Sequence, residues 1–360
     1  MGKLGMSLEI FNDEDFFRRM FRKSESTRTE NTARISLKIF DVFCKHQDTT
    51  REEMIRMYQK LYKESDIRSI CLSLDKFVNF LDQDHEEISK RKSPKTIKTY
   101  FGFVKSYLRI CHGVKISVED IKDYVQFPKT RKVPRKAISL KVLKKICNNA
   151  SPQRRALYYT LISSGMRLGE ALSLTKKNFH TNENPVRITL DAEITKTKES
   201  RETFITSEAF EKVQPILESK TDNEFVFTDF KDNVHAVINE DQVFGNLRKR
   251  LGLTEKYPNS CRYEVSIHGF RGYFHTKASQ KHGSEYANAL DGHGAYLKQY
   301  YQLTPEERAT KYNELEPSLL IESIKTESDK TKDKMIDELK EQMVKMQDAM
   351  IRAKILNETD

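Results

Sequence analysis

Basic, imidazole and phenol side chains follow one another in the second half of the chain, in an order that suits phosphoryl transfer. The series consists of Arg167, then Lys196 or Lys198, His268 with Arg271, His293, and the pair Tyr300 and Tyr301. Guanidinium groups bind the nonbridging oxygens of a phosphate bidentately, and a tyrosine oxygen can attack phosphorus. A histidine can relay the tyrosine proton, and a lysine can protonate a departing sugar oxygen. Such a set could cleave a nucleic-acid strand without a metal ion.

Arg167 is placed at the beginning of a predicted helix, directly after a predicted glycine helix stop at Gly165. The guanidinium is therefore expected to project from rigid backbone. Glu170, one helical turn further on, is placed to orient it. Taken alone, an arginine in the first turn of a helix is more often an ordinary surface residue.

His268 and Arg271 are three residues apart, after a plausible helix start at Ser266. That spacing puts both side chains on one helical face, where they can share one phosphate. The helix N-terminus adds partial positive charge to such an anion site. The pattern His-x-x-Arg by itself is frequent by chance.

His293 lies between two glycines, in a tight turn that can present an imidazole to a pocket. A loop histidine without function is the alternative, and His275 and His282 compete without a comparably constrained turn. Each signal is weak alone, but their order along the chain favours one convergent site over coincidence.

Tyrosines follow that turn at positions 296, 300 and 301. An unperturbed phenol has a pKa of about 10, so attack at neutral pH requires a nearby base or positive charge. The preceding arginines and histidines supply both if they converge in space. With 15 tyrosines in the chain, core packing is the alternative.

The elements before this series are predicted to be helical. Residues 1–65 form a polar helical extension that contacts DNA, contacts a neighbouring protomer, or is simply solvated. Residues 66–127 form a helical module, with one helix from Ser93-Pro94 to about Gly113 and another from Ser117. Its polar faces carry Lys92, Lys95, Lys98, Lys105 and Arg109. Such a module can lie along a duplex or be an ordinary solvated bundle.

Residues 128–138 form the clearest linker. Pro128 and Pro134 prevent helix continuation, and five basic residues fall within nine positions. A basic tether between two DNA-facing modules suits a clamp that closes around the double helix.

Residues 139–320 are expected to form a mixed α+β domain. Helices begin at Ser139 and at Ser151-Pro152. Residues 186–206 alternate between apolar and polar side chains, which predicts a β-hairpin with Lys196 and Lys198 near its tip. Helices return by about residue 240 and persist through 301.

Residues 321–360 are predicted to form a C-terminal coiled-coil helix. Apolar side chains recur there at alternating steps of three and four, at Ile336, Leu339, Met343, Met346, Met350 and Ala353. This heptad seam can join protomers, or the helix can fold back on its own domain.

Composition narrows the class of partner. Lys and Arg total 63 against 53 acids, a formal charge of +10, which fits a phosphate backbone or ordinary solubility. The five cysteines have no Cys-x-x-Cys spacing, which argues for a reducing compartment and against a disulfide framework or a zinc site. No apolar run is long enough to cross a membrane, and no signal peptide is evident.

The series from Arg167 to the tyrosine pair resembles the tyrosine recombinase (integrase) superfamily, over about residues 67–320. The ending Tyr-Tyr-x-x-x-Pro-Glu-Glu from Tyr300 is most similar to archaeal and archaeal-virus members. The resemblance implies a mainly α fold with a small β-hairpin or sheet. It also implies that residues 66–127 are a core-binding (SAM-like) DNA-binding domain and that residues 139–320 are the α+β catalytic domain.

The resemblance assigns a role to each side chain in the series. Arg167, Arg271 and His293 bind the scissile phosphate, and His268 assists proton transfer. Tyr301 forms a 3′-phosphotyrosyl bond, and Lys196 is the general acid to the leaving 5′-oxygen. The family tyrosine usually lies nine residues after the last histidine, where this chain has Gln302. Tyr301 is the tyrosine nearest to that position, and Tyr300 is the alternative. In the hairpin, Lys198 matches the family lysine instead of Lys196 for some loop lengths.

The implied activity is that of a metal-independent site-specific DNA recombinase without a cofactor. Its partners are double-stranded DNA and further copies of the chain, as a tetramer during synapsis, with no membrane and no small-molecule substrate. The expected location is the cytoplasm, on the nucleoid or in an infected host. A type IB topoisomerase-like nicking enzyme and a catalytically inactive DNA-binding protein of the same fold are the alternatives.

Overall fold

The computed structural model describes residues 12–88, 90–130, 133–195, 198–258, 260, 262–293 and 303–322. The chain divides into two compact units, Met1–Lys132 and Val133–Asp360. The first unit is helical where it is described, and the second combines helices with a three-stranded sheet. The mainly α fold with a small sheet, expected from the sequence, is confirmed.

Six helices form the described part of the first unit. They are α1 (Asp13–Ser24), α2 (Thr27–His46), α3 (Arg51–Lys63), α4 (Ile67–Leu81), α5 (Pro94–His112) and α6 (Val118–Tyr124). Side-chain oxygens of Ser93 and Ser117 accept backbone N–H groups at the starts of α5 and α6. Gly113 ends α5 in the left-handed conformation. These boundaries were predicted.

Residues 12–63 differ from the expected separate extension, because their helices share one core with α4 and α5. The rings of Phe40 and Phe43 both contact Phe77 of α4. Asp13 accepts hydrogen bonds from Tyr107 of α5 at 2.5 Å and from Arg51 at 2.7 Å. Apolar side chains recur at helical spacing along α1–α3, and they are buried in this core. The segment therefore packs into the unit although its composition is polar.

The second unit alternates helices with a small sheet. Its elements are α7 (Leu140–Asn148), α8 (Pro152–Ser164), α9 (Leu168–Leu172), β1 (Phe179–His180), β2 (Val186–Leu190), β3 (Arg201–Ile205), α10 (Ser207–Ser219), α11 (Asn233–Arg250), α12 (His268–Asp291) and α13 (Pro305–Leu315). Residues 156–164 of α8 are all buried, so this helix runs through the core. The rings of Tyr158, Phe244 and Phe270 contact one another there and join α8 to α11 and α12.

The sheet is antiparallel with the order β1-β2-β3. In β2 the apolar side chains of Val186, Ile188 and Leu190 are buried, as the alternation predicted. The predicted hairpin is therefore present, and the short strand β1, which the sequence did not reveal, adds a third strand.

Helices return at Ser207, well before the expected residue 240. Thr206 caps α10. The buried side chains of this helix, Ala209, Val213 and Leu217, follow at steps of four. That spacing is readable in the sequence, although Pro215 lies inside the helix and obscures it.

The second half of the expected linker, residues 128–138, is attached to the second unit. The Lys136 backbone N–H donates to the Tyr257 hydroxyl at 2.9 Å, and its ammonium group lies 2.5 Å from Glu264. Ile138 is buried in the core of this unit. Its side chain lies 2.3 Å from where a Cβ on Gly269 would stand, so a larger residue there would displace Ile138.

The heptad segment at residues 329–356 lies outside the described residues. Among the helices that are described, none is both long enough and apolar enough to span a lipid bilayer. The predicted site residues lie in the second unit.

Candidate functional site

Three arginines converge on the C-terminal end of α12. Successive carbonyl groups there accept hydrogen bonds from different arginines: Leu290 O from Arg201 Nε at 3.1 Å, Asp291 O from Arg271 Nη1, and Gly292 O from Arg167 Nη2 at 3.4 Å. The end of a helix carries unpaired carbonyls and partial negative charge, which cations stabilise. This helix end therefore holds the guanidinium groups in one place.

Arg167 is presented by the turn between α8 and α9. Gly165 ends α8 with φ 66°, and the Phe274 ring lies 2.3 Å from where a Cβ would stand, so only glycine fits. Glu170 accepts both the Arg167 backbone N–H and its Nη1, each at 2.8 Å. The predicted orienting role of Glu170 matches this geometry.

Glu170 also binds a second arginine, Arg201 of β3. Two hydrogen bonds, of 2.5 and 3.2 Å, join the guanidinium to the carboxylate. The two side chains are only 3% and 2% exposed. Burial alone would raise the pKa of Glu170, but the bonds and charges of Arg201 and Arg167 outweigh it and hold the pKa below its usual value.

Arg271 occupies the first turn of α12 and is buried. Its Nη1 donates to the Gly165 carbonyl at 2.7 Å, and its Nη2 lies 3.4 Å from the Asp291 carboxylate. Burial lowers the pKa of Arg271 to about 10, with Asp291 acting in the opposite direction, so the group stays charged at neutral pH. Its buried Nε has no hydrogen-bond partner among the described residues.

His293 follows the left-handed Gly292 at the end of α12, in the turn that the sequence predicted. The His293 backbone N–H donates to Asp291 Oδ1 at 3.0 Å, and its Nδ1 lies 2.9 Å from each carboxylate oxygen. The side chain is about half exposed, at 51%. One edge of the imidazole is thus held by Asp291 while the ring remains accessible.

His268 is the first residue of α12 and is exposed. Partial shielding of its ring from water lowers its pKa, and the charges of Arg135, Arg271, His293 and Arg167 lower it further. The imidazole is therefore neutral at pH 7 and can accept a proton. The structure brings four predicted residues together: Arg167, His268, Arg271 and His293.

The remaining predicted residues lie outside the described part of the chain, namely Lys196, Tyr296, Tyr300 and Tyr301. Lys198 is described and lies on the β2–β3 connection with φ 56°. Its backbone N–H donates to the Thr195 carbonyl at 3.3 Å. This connection joins the end of β2 at Leu190 to the start of β3 at Arg201. It therefore lies next to the part of the site that Arg201 forms.

Three side chains of the site were not predicted, namely Arg201, Asp291 and His275. Arg201 shares the inward face of β3 with the buried Thr203 and Ile205, so a charged residue on a buried face was the available signal. Asp291 stands two residues before His293. His275 lies one helical turn after Arg271, and a spacing of four places them on one face.

His275, Asp291 and His293 offer ligand atoms that lie within 4.8 Å of one another. Two imidazoles and a carboxylate are ligands that transition metals accept. The Arg271 guanidinium lies beside these atoms, 3.1 Å from His293 Nδ1 and 3.4 Å from Asp291 Oδ1. A fixed positive charge so close opposes a dication, so hydrogen bonding explains this cluster better.

The site as a whole is arranged to bind an anion. Three guanidinium groups face two buried carboxylates, Glu170 and Asp291, which leaves an excess of one positive charge. Donors that are already held in place bind an anion without further ordering, and two imidazoles stand beside them. This geometry is compatible with binding of a phosphate group.

Part of the second unit is similar to a known family. Residues 136–293 match the model of the phage integrase family. The matched segment includes Arg167, His268, Arg271 and His293. No protein of curated function matches the chain.

Solved structures show similarity at low identity. The crystal structure of XerA recombinase is 17% identical with a TM-score of 0.37, and the alignment covers 84% of this chain and 96% of that one. The Tn1549 transposon integrase in complex with circular intermediate DNA is 17% identical with a TM-score of 0.43, over 68% and 83% of the chains. A lambda integrase tetramer bound to a Holliday junction is 13% identical with a TM-score of 0.49, over 78% and 76%.

Proposed function

We propose that this protein is a site-specific DNA recombinase that cleaves and rejoins strands through a covalent 3′-phosphotyrosine intermediate. One observation supports it above the others. Arg167 and Arg271 donate to the adjacent carbonyls of Gly292 and Asp291, beside His293. Both guanidinium groups can therefore reach the same phosphate. The phage integrase family match of residues 136–293 supports the same assignment.

In the proposed reaction Arg167, Arg271 and His293 bind the nonbridging oxygens of the scissile phosphate. The Tyr301 oxygen attacks phosphorus, its proton passes to His268, and a phosphotyrosyl ester forms. The bond from phosphorus to the 5′-oxygen breaks, and Lys196 protonates that oxygen as it leaves. Attack by a 5′-hydroxyl from another strand reverses these steps. Because the ester conserves the bond energy, rejoining needs no nucleotide cofactor.

Duplex DNA is the proposed partner, bound mostly through its phosphates. The formal charge of +10 and the basic faces of residues 66–127 support this. Strand exchange requires several protomers, so we propose a tetramer during synapsis, with residues 321–360 as the joining element. We propose that the protein lies with the DNA in the cytoplasm, and we propose an archaeal or archaeal-virus origin from the sequence Tyr-Tyr-x-x-x-Pro-Glu-Glu that begins at Tyr300.

A covalent trapping assay tests the proposal. A duplex nicked close to the cleavage site loses a short fragment after attack, so a denaturing gel displays the protein joined to DNA. The wild-type chain should be trapped and Tyr301→Phe should not, while Tyr300→Phe should retain trapping. Trapping that survives in Tyr301→Phe and disappears in Tyr300→Phe would move the nucleophile by one residue. Bound but never trapped DNA would indicate an inactive DNA-binding protein.

Recombination is distinguished from nicking by the product. Two differently marked sites should exchange partners when the wild-type protein is added. Relaxation of supercoils without exchange would indicate a type IB topoisomerase-like enzyme. The separate helical unit and the heptad segment favour exchange, because a nicking enzyme acts as a monomer.

A further inference from the structure

Asp291 is a buried carboxylate that three other side chains of the site approach. It is 0% exposed. His275 Nδ1 lies 2.9 Å from its Oδ2, and His293 Nδ1 lies 2.9 Å from either oxygen. Arg271 Nη2 lies 3.4 Å from its Oδ1. The reaction proposed above assigns no role to His275 or Asp291.

The bonding capacity of these groups determines where protons lie. An ionised carboxylate can only accept, so each ring nitrogen that faces Asp291 must be a donor. His293 therefore carries a proton on Nδ1, and so does His275. The Nε2 atom of His293 is then left for the phosphate or for proton exchange with it.

Arg271 competes with Asp291 for the same nitrogen. Its Nη2 lies 3.1 Å from His293 Nδ1 and 3.5 Å from Nε2. A guanidinium has no acceptor, so a bond from Arg271 to Nδ1 requires that Nδ1 has lost its proton. Arg271 thus favours one tautomer of His293 and Asp291 favours the other. The orientation of the Asp291 carboxylate decides between them.

His275 holds that carboxylate. It donates to Oδ2, while the His293 backbone N–H donates to Oδ1 at 3.0 Å, so both oxygens are held at once. The two imidazole rings lie 5.5 Å apart in an edge-to-face arrangement, and both contact the same carboxylate. Loss of His275 would free one oxygen of a fully buried group, which would then turn toward Arg271.

We propose that His275 is a positioning residue that acts through Asp291 to keep the proton of His293 on Nδ1. The contacts of Asp291 support the proton on Nδ1 whether or not the protein cleaves DNA. Its consequence for strand cleavage depends on the proposed function.

Histidine tautomers can be read directly by nitrogen NMR on protein labelled at histidine, with His293→Gln used only to assign the His293 signals. In the wild-type chain His293 should show a protonated Nδ1. His275→Ala should move it toward a protonated Nε2, and His275→Gln, which still has a donor for Asp291, should restore the wild-type pattern. The matched control is His235→Ala, an exposed histidine on α11. An unchanged His293 tautomer in His275→Ala overturns the proposal.

Cleavage and metal binding complete the test. His275→Ala should slow covalent trapping by about 10- to 100-fold, as expected for a partner that orients a site residue, while the Kd for DNA stays within about twofold. His275→Gln should recover most of the rate. If the wild-type chain is never trapped, the proposed function fails, yet the NMR result still decides the role of His275. Calorimetry that finds one equivalent of Zn²⁺ bound by the wild type and none by His275→Ala would overturn positioning in favour of a metal site.

Discussion

Arg201 and Glu170 form a buried ion pair that joins β3 to α9, with Nη2 and Oε2 2.5 Å apart. The same arginine donates to the Leu290 carbonyl at 3.1 Å, and the same glutamate binds Arg167. One pair thereby connects β3 to α9 and to the end of α12, where the three arginines converge. Its removal should affect both stability and the site.

Arg201→Met should lower the free energy of unfolding by about 3–5 kcal/mol, because it removes the buried partner of Glu170 and leaves that carboxylate only the partly exposed Arg167. The double variant Arg201→Met/Glu170→Met should be less destabilised than Arg201→Met alone, since the charge that then lacks its partner is the partly exposed Arg167 and not the buried Glu170. Chemical denaturation measures both. Asp229→Asn removes the exposed partner of Lys220 and should cost at most about 1 kcal/mol. An equal loss of unfolding free energy on removal of the buried pair and of the exposed pair would contradict this account.

Gly292→Ala should disturb the turn that presents His293. Gly292 has φ 78°, and an added Cβ would lie 3.1 Å from the Arg201 guanidinium. The expected cost exceeds the roughly 1–2 kcal/mol of left-handed backbone strain, and covalent trapping should fall with it. Gly252→Ala is the control, because Gly252 has φ 71° with open space around it. Thermal unfolding should show a clearly smaller loss of stability for Gly252→Ala than for Gly292→Ala. A similar loss of stability in the two variants would mean that the Arg201 side chain moves aside at little cost.

Arg135→Gln should raise the pKa of His268. After partial burial of the ring, the positive charge of Arg135 is the next largest cause of the lowered pKa, so its removal makes protonation easier. Proton NMR titration of the His268 ring measures the shift. Lys231→Gln removes an exposed lysine of the same unit and should leave that titration unchanged.

The lowered pKa of His268 also determines how the stability of the fold depends on pH. His268 binds protons less readily in the folded chain than its usual value of about 6.5 allows, so stability should decline as the pH falls from that value through the folded pKa. In Arg135→Gln this decline should be smaller. A titration midpoint of His268 that does not move would show that burial alone sets it.

Arg271→Lys should reduce covalent trapping by at least about 100-fold while DNA binding weakens far less. Lysine keeps the positive charge, but it lacks the planar fork with which Arg271 donates to Gly165 O and Asp291 O from one nitrogen and leaves another for a phosphate oxygen. Gel shifts and trapping rates separate the two effects. Lys277→Arg, on the same helix, provides a control for exchange of one cation for another. Near wild-type trapping by Arg271→Lys would show that bidentate binding is unnecessary.

Local rules accounted for much of what the sequence predicted. Serine caps, the glycine stops at Gly113 and Gly165, and the period-two alternation of β2 depend on residues within a few positions of one another. The same holds for Glu170 beside Arg167 and for the turn before His293. Each is a short-range contact that backbone geometry imposes wherever the residues occur.

The order of residue types along the sequence already predicted a phosphate-binding site and the residues that would form it. Only the tertiary structure revealed that residues 12–63 share the core of the first unit, and that Arg201, Asp291 and His275 support the site. Arg201 reaches a carbonyl 89 positions away. Such contacts depend on how α8, β3 and α12 pack, and a buried charge is tolerated only where that packing supplies its partner.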